Sequence, residues 1–141
     1  MADYVVVVGC GRLGSLLASR LSGEGNSVVV IDENESAFGA LTGAFSGFQI
    51  EGDATELATL ETAKIAQADC LLAVTDQDNI NIMVAQIAKS IFNVPTVLAR
   101  VFDPKREQLY GEFGIETISP NQLSADCFFQ TLEARKSAVR T

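Results

Sequence analysis

A glycine-rich turn constrains the fold of this chain more than any other feature of its sequence. The segment GCGRLG at positions 9–14 directly follows Tyr4–Val8, a continuous β-branched run typical of a strand buried on both faces of a parallel sheet. Leucines at helical spacing follow the turn. A turn between such a strand and such a helix predicts a phosphate-binding loop, because its glycines allow a tight bend, close approach of a pyrophosphate and close helix packing.

The rest of the chain repeats the alternation of strand and helix. Short apolar runs predict further strands at 28–31, 47–51, 69–74, 96–101 and 115–118. Amphipathic or punctuated segments predict helices at 34–41, 56–63, 80–91, from Pro104 and from Pro120. Short loops between these elements indicate right-handed crossovers. The predicted fold is one α/β domain, a Rossmann-like doubly wound parallel sheet of six strands in the order 3-2-1-4-5-6.

The composition limits the functions open to such a domain. A length of 141 residues suits one compact domain better than an enzyme with separate cofactor and substrate lobes. The sequence has no histidine, which removes the usual general base and the commonest transition-metal ligand. Its net charge of −8 argues against binding nucleic acid, which relies on clustered Lys and Arg. Since the sequence shows neither a secretory leader nor an apolar run of membrane-spanning length, we expect a cytoplasmic domain. The length and the absence of histidine predict that it has no catalytic or metal-binding residues.

Asp32 ends the predicted second strand, about 20 residues beyond the glycine turn, where dinucleotide-binding domains place an acid. Its carboxylate can accept hydrogen bonds from both ribose hydroxyls and repels a 2′-phosphate, so NAD(H) or an adenine nucleotide (ATP, ADP or AMP) is expected rather than NADP(H). The alternative is that Asp32 is a solvated acid beside Glu33 and Glu35.

Arg12 lies inside the turn, where its guanidinium is expected to donate two hydrogen bonds to phosphate oxygens. Its alternative is a surface arginine, which the positive end of a helix does not favour.

Polar residues also follow the third, fourth and fifth predicted strands. Ligands of open α/β sheets lie outside the carboxyl ends of the strands, so these residues are expected to border one pocket. The segments that carry them are Gly52, Asp53, Ala54 and Thr55 after the third strand, Thr75, Asp76, Gln77, Asp78 and Asn79 after the fourth, and Arg100 at the end of the fifth. Some of this polarity has a structural alternative, since Asp53 or Thr55 could cap the helix at 56–63 and Asp78 could cap the helix at 80–91.

Taken together, these segments resemble the nucleotide-binding domains called RCK or KTN (TrkA-N type), from Tyr4 to about Ala134. The motifs that carry the resemblance are GCGRLG, the strand end at Asp32, GDATE at 52–56, AVTDQDNIN at 73–81, ARVFDP at 99–104 and GIETISP at 114–120. Such domains are cytosolic subunits of Trk and Ktr potassium uptake systems or gating modules of potassium channels and Kef-type antiporters. The resemblance therefore implies a regulatory subunit, not an enzyme, that binds NAD(H) or ATP/ADP and gates a potassium transporter or channel at the inner face of the membrane.

The resemblance also implies where a ligand would lie. The residues that it implies for the phosphates are Gly9, Gly11, Arg12, Leu13 and Gly14, with Asp32 on the adenosine ribose. Those that it implies for the adenine pocket are Asp53, Ala54 and Thr55. Those for the remainder of the ligand are Thr75, Asp76, Asn79 and Arg100, the last reaching toward the phosphates or the second sugar. In such domains the arginine of the glycine turn can also face a neighbouring subunit.

The C-terminal helix is expected to join subunits. Its apolar residues occupy more than one side of the helix, and they are Leu123, Cys127, Phe128, Phe129 and Leu132. In the family resembled, this helix crosses to the partner subunit. We therefore predict a nucleotide-binding domain at 1–134, a homodimer or larger ring formed through helix 120–134, and a basic tail at 135–141. Asn121 stands where many relatives have a glutamate, which weakens any expectation of an intersubunit metal site.

Two other functions stay open at this point. One is the NAD-binding domain of a dehydrogenase or other oxidoreductase, although neither Tyr4 nor Tyr110 belongs to a recognisable catalytic pair. The other is a partner module for a second RCK-type subunit that supplies a further ligand-binding domain. Within the turn, Cys10 could be a redox-sensitive thiol at a helix start, or simply a small residue that fills the turn.

Overall fold

The computed structural model describes residues 2–140, apart from the side chains of residues 109 and 140. Six strands form one parallel sheet, each within one residue of its predicted bounds: β1 Tyr4–Val8, β2 Ser27–Asp32, β3 Phe48–Glu51, β4 Cys70–Ala73, β5 Thr96–Arg100 and β6 Glu116–Ile118. Their spatial order is β3-β2-β1-β4-β5-β6, which confirms the predicted topology. The order reverses between β1 and β4, so a crevice opens at the carboxyl ends of these two strands.

Within residues 2–140 four α-helices lie between strands, namely α1 Arg12–Gly23, α2 Leu57–Thr62, α3 Asp78–Ser90 and α4 Glu107–Gly111, and α5 Pro120–Arg140 follows β6. The helix predicted at 34–41 is instead a 3-10 helix, Glu35–Ala40. Only Phe38 is buried in this segment, so tertiary packing gives little support to a regular α-helix.

Two layers of apolar side chains cover the two faces of the sheet. Along β1, Val6 and Val8 enter one layer while Val5 and Val7 enter the other. Because both faces are covered, the strand is apolar at every position from 5 to 8 and shows no alternation with polar residues. This burial accounts for the continuous β-branched run in the sequence.

Helix α1 buries its small residues against the sheet, while three of its leucines pack beside them and are only partly buried. The buried residues of this helix are Gly14, Ser15, Ala18, Ser19 and Ser22. Leu16 is 64% exposed, and the remaining leucines of the helix lie half-buried at the edges of the contact. Small side chains let the helix axis approach the sheet closely, which places the start of the helix directly behind the glycine turn.

The buried face of α3 is also rotated from the apolar stripe that predicts this helix in the sequence, which consists of Ile80, Met83, Val84, Ile87, Ala88 and Ile91. Val84 and Ala88 are buried as the stripe predicts, but Met83 and Ile91 are at least half exposed. Asn81 is buried in their place, together with Ile82 and Ala85. The prediction for this face was therefore partly wrong, since it omitted Ile82, Ala85 and one polar side chain, that of Asn81.

Helix α5 extends away from the sheet. The helix continues through positions 135–140 of the predicted basic tail, and position 141 lies outside the described residues. Its apolar residues Leu123, Phe128, Phe129 and Leu132 are exposed. Within residues 2–140 no helix combines the length and the apolar character needed to cross a membrane.

Candidate functional site

A cavity of about 470 Å³ lies at the carboxyl ends of five of the six strands. Its walls come from the glycine turn after β1 and from the segments that follow β2, β3, β4 and β5. This volume is in the range of cavities that hold small-molecule ligands, and the position is the one where open α/β sheets bind them.

The cavity brings together most, but not all, of the residues predicted from the sequence. Those that line it are Gly9, Gly11, Arg12, Asp32, Asp53, Ala54, Thr75, Asp76 and Arg100. Four predicted residues are absent from its lining: Leu13, Gly14, Thr55 and Asn79. The sequence analysis named Gln77 at this edge without giving it a ligand contact, it overlooked Asn34, Ile80 and Phe102, and it considered Glu33 only as a solvated neighbour.

Two glycines shape the turn in different ways. Gly9 has a φ of +104°, which favours glycine, and a Cβ there would also lie 2.9 Å from the Thr75 nitrogen. At Gly14 a Cβ would lie 1.8 Å from the carbonyl oxygen of Gly9, so this glycine serves helix packing without touching the cavity. A Cβ on Gly11, in contrast, would meet no atom within 4 Å. Gly11 therefore leaves open space beside the backbone, where a phosphate could approach.

Asp32 supports the glycine turn as well as facing the cavity. One carboxylate oxygen accepts a hydrogen bond from the Cys10 N–H at 2.8 Å, and the other accepts one from the Asn34 N–H at 2.9 Å. Each oxygen has a further acceptor site, so the carboxylate can still bind ribose hydroxyls. Burial, and to a lesser extent the Asp32 carboxylate, raise the pKa of the buried Cys10 thiol. The thiolate is thereby disfavoured, which argues against the redox-sensitive alternative for Cys10.

The segment after β3 presents a carboxylate whose orientation is set locally. Asp53 accepts hydrogen bonds from the hydroxyl and the N–H of Thr55, at 2.6 and 2.9 Å. These bonds, the hydroxyl one foremost, lower the pKa of Asp53. Helix α2 begins only at Leu57 and has no side-chain cap, so the capping alternatives for Asp53 and Thr55 were wrong. Thr55 instead holds the carboxylate that lines the cavity.

Asn81 joins the ends of β4 and β5 beneath the cavity. Its fully buried side chain accepts hydrogen bonds from the N–H and the hydroxyl of Thr75, at 2.8 and 2.6 Å. Its amide group donates to the carbonyl oxygens of Thr75 and Arg100, both at 3.0 Å. All the hydrogen-bonding capacity of one amide is thus used. One sequence signal could have revealed this residue: it shares a helix face with Val84, Ala85 and Ala88.

The two arginines of the cavity differ in whether their guanidinium groups already have hydrogen-bond partners in the protein. The Arg100 guanidinium donates to the carbonyl oxygens of Val74 at 2.7 Å and Thr75 at 2.8 Å, across the carboxyl end of β4. Desolvation lowers the pKa of Arg100, while nearby carboxylates oppose that shift, and the group remains a cation. In the part of the chain that the structure describes, the Arg12 guanidinium has no hydrogen-bond or ion-pair partner. Arg12 is therefore the cation that is free to contact phosphates.

The start of α3 fastens the segment that follows β5. Asp78 is the first residue of the helix and has no role as its cap, so the capping alternative was wrong. Its carboxylate accepts hydrogen bonds from the N–H groups of Phe102 and Asp103, at 2.8 and 3.0 Å. Asn79 accepts a hydrogen bond from the Arg106 guanidinium at 2.6 Å. These contacts hold residues 102–106 against the helix.

Sequence comparisons relate the chain to bacterial and archaeal potassium uptake proteins. The family model of the TrkA-N domain matches residues 5–120. The Trk system potassium uptake protein TrkA of Streptomyces coelicolor is 37% identical over 129 residues, covering 92% of this chain and 58% of the relative. The TrkA homolog of Pyrococcus abyssi is 34% identical over 136 residues, covering 92% and 60%. The chain spans about three fifths of the length of these relatives.

Solved structures share the fold at low sequence identity. The TrkA-N domain of the inner membrane protein ybaL from Escherichia coli superposes with a TM-score of 0.82 at 19% identity, covering 94% of this chain and 98% of that one. The GsuK channel bound to NAD gives a TM-score of 0.80 at 23% identity, covering 96% and 24%. The structure of GsuK bound to ADP gives a TM-score of 0.79 at 22% identity, covering 94% of this chain and 34% of that one.

Proposed function

The chain belongs to the TrkA-N domain family, and from this premise we propose that it is a nucleotide-binding regulatory subunit of a membrane potassium transporter or channel. The observation that carries the proposal is the cavity itself. It combines a glycine turn open at Gly11, an unpaired Arg12 and the Asp32 carboxylate. The glycine turn lets phosphates approach the backbone, and Arg12 supplies a cation for them. Asp32 supplies oxygens that accept hydrogen bonds from ribose hydroxyls.

NAD(H) is the ligand that the dimensions and charges of the cavity favour. The lining reaches from the end of β3 to the end of β5, which is four strand spacings or about 19 Å. In the described part of the chain, the lining has four carboxylates and two guanidinium groups. The carboxylates are those of Asp32, Glu33, Asp53 and Asp76, and the guanidinium groups are those of Arg12 and Arg100. Such a lining suits an extended ligand of low net charge better than a triphosphate. ADP, AMP and ATP form the second class of ligand, and the acids at 32 and 33 disfavour NADP(H).

Two ligands of different affinity would make the domain a sensor. A ligand shifts a conformational equilibrium only through its differential affinity for the two states, so exchange between NAD(H) and an adenine nucleotide is the natural input. Catalysis is not part of the proposal. Among the described residues, the titratable groups that line the cavity are carboxylates and guanidinium groups, and the proposal assigns these to ligand binding.

The proposed partners follow from the exposed helix α5. Phe128 is 72% exposed and Phe129 is 67% exposed, on a helix that extends from the domain. Apolar surface of this kind marks a protein interface. We expect helix 120–134 to form a homodimer or larger ring, which would act on the cytoplasmic face of the transporter, alone or with a second RCK-type subunit.

Isothermal titration calorimetry with NAD, NADH, NADP, ATP, ADP and AMP tests the proposal. NAD(H) is expected to bind, with NADP at least about tenfold weaker because of charge repulsion at Asp32. Gly11→Val is the matched variant: the backbone there has a φ of −77°, which valine accepts, and its Cβ meets no protein atom. This variant should keep the melting temperature and lose at least about tenfold in affinity. Gly39→Val, also without neighbours and outside the cavity, is the control.

Absence of binding by every nucleotide would overturn the proposal. So would an affinity unchanged by Gly11→Val. The transport role is tested by growth at limiting potassium of a strain that lacks the protein. The wild-type gene should restore growth and the Gly11→Val gene should not.

A further inference from the structure

Phe102 is an aromatic residue in the lining of the cavity. It lies two residues beyond the end of β5, and the residue as a whole is 39% exposed. Because β3 and β5 are four strands apart, Phe102 and the adenine-side carboxylate of Asp53 stand near opposite ends of the cavity. A single nucleotide anchored near Asp53 and Asp32 would reach the glycine turn with its phosphates and leave Phe102 without contact.

Phe102 has one contact at its backbone and one at its ring. Its backbone N–H donates to Asp78 at the start of α3, at 2.8 Å. The Arg100 guanidinium lies over the ring, with 4.8 Å between its central carbon and the ring centroid. That guanidinium is itself held by the carbonyl oxygens of Val74 and Thr75. A ring that is fixed before a ligand arrives loses little conformational entropy on binding.

We propose that Phe102 forms one wall of a second ring-binding subsite, on which the second heterocycle of a dinucleotide stacks. The inference rests on the proposed function and assigns a residue to it: Phe102 determines the preference for a dinucleotide over a mononucleotide. Arg100 covers part of the ring, and the exposed remainder lines the cavity. Planar heterocycles gain stacking energy on such a surface in addition to the apolar area that they bury.

Titration of two ligands against Phe102→Ala tests the inference. NADH carries the second heterocycle, and AMP carries only the adenosine phosphate half. The substitution should weaken NADH binding about fivefold to tenfold and change AMP binding less than about twofold. Phe102→Trp should retain the affinity for NADH. Phe113→Ala is the matched control, because Phe113 is 47% exposed and lies outside the cavity.

A second variant distinguishes stacking of the ligand on Phe102 from an indirect effect in which Phe102 only holds the Arg100 guanidinium in place. Phe102→Leu keeps an apolar side chain beside the guanidinium and lacks an aromatic face, so it should resemble Phe102→Ala in its affinity for NADH. Equal losses for NADH and AMP, or no loss for either, would overturn the subsite while leaving the proposed function standing. A wild-type protein that binds neither ligand would overturn both.

Discussion

Replacing Asn81 with aspartate is expected to destabilise the domain by about 3–5 kcal/mol at pH 8. The two side chains have nearly the same shape, so the change alters hydrogen bonding and charge without creating a cavity. Aspartate can still accept the hydrogen bonds from the N–H and hydroxyl of Thr75. It cannot donate to the carbonyl oxygens of Thr75 and Arg100, which would face a carboxylate oxygen at about the present 3.0 Å.

The magnitude follows from two separate costs. Each lost hydrogen bond contributes about 1 kcal/mol. Burying a carboxylate at a site with no exposed surface raises its pKa, and each tenfold change in its acid dissociation constant corresponds to about 1.4 kcal/mol. The sum is a large part of the stability of about 5–15 kcal/mol that is typical of a domain.

The pH dependence of the loss has a defined sign. The pKa of the new carboxyl group is higher in the folded state than in the unfolded chain, so the folded variant binds more protons between the two values. Relative to the wild type, its destabilisation is complete above the folded-state pKa and shrinks as the pH falls through it. A protonated carboxyl can also donate one hydrogen bond to a carbonyl oxygen.

Urea unfolding followed by far-ultraviolet circular dichroism at pH 8 and pH 5 measures the effect. Asn79→Asp is the matched control, because Asn79 is exposed and its partner is the Arg106 guanidinium, which a carboxylate also accepts. The control should change the free energy of unfolding by less than about 0.5 kcal/mol. A loss at Asn81 no larger than at Asn79, or one that is equal at the two pH values, would refute the reasoning.

Two further predictions concern the glycine turn and helix α5. Gly14→Ala should destabilise the domain by about 2–4 kcal/mol, because its Cβ would lie 1.8 Å from the Gly9 carbonyl oxygen. Gly39→Ala is its control, and equal thermal stability of the two variants would contradict the close packing of α1. Light scattering at micromolar concentration should give a dimeric or larger mass for the wild type, and a smaller mass for the pair Phe128→Glu and Phe129→Glu. A monomeric wild type would count against assembly through α5.

The fold was predictable from the sequence because its signals are local. Continuous apolar runs indicate strands buried on both faces, and the glycine turn identifies the first crossover. The position of the site followed as well, since parallel strands bring their carboxyl ends to one edge. Gly11, Asp32 and Asp53 could thus be assigned to one cavity before any distance was known.

The partners of individual side chains were not predictable in the same way. Asn79 and Thr55 both lie in motifs that resemble a ligand site, yet one contacts Arg106 and the other holds Asp53. Which direction a strand-end side chain takes depends on donors and acceptors brought by other segments. Phe102 acquires its place in the cavity from Asp78, which is 24 residues away in the chain.

The sequence by itself determined the strand order, the position of the glycine turn and the family of this protein. Only the tertiary structure decided which face of each helix is buried and which polar groups are free. Gly14 lets α1 approach the glycine turn so closely that the leucines of the helix lie at the edges of its contact with the sheet. At the ends of β4 and β5, backbone carbonyl oxygens accept hydrogen bonds from the side chains of Asn81 and Arg100 and so fix their positions. Apolar periodicity carries no record of such backbone partners, because each arises between segments that meet only after the chain has folded.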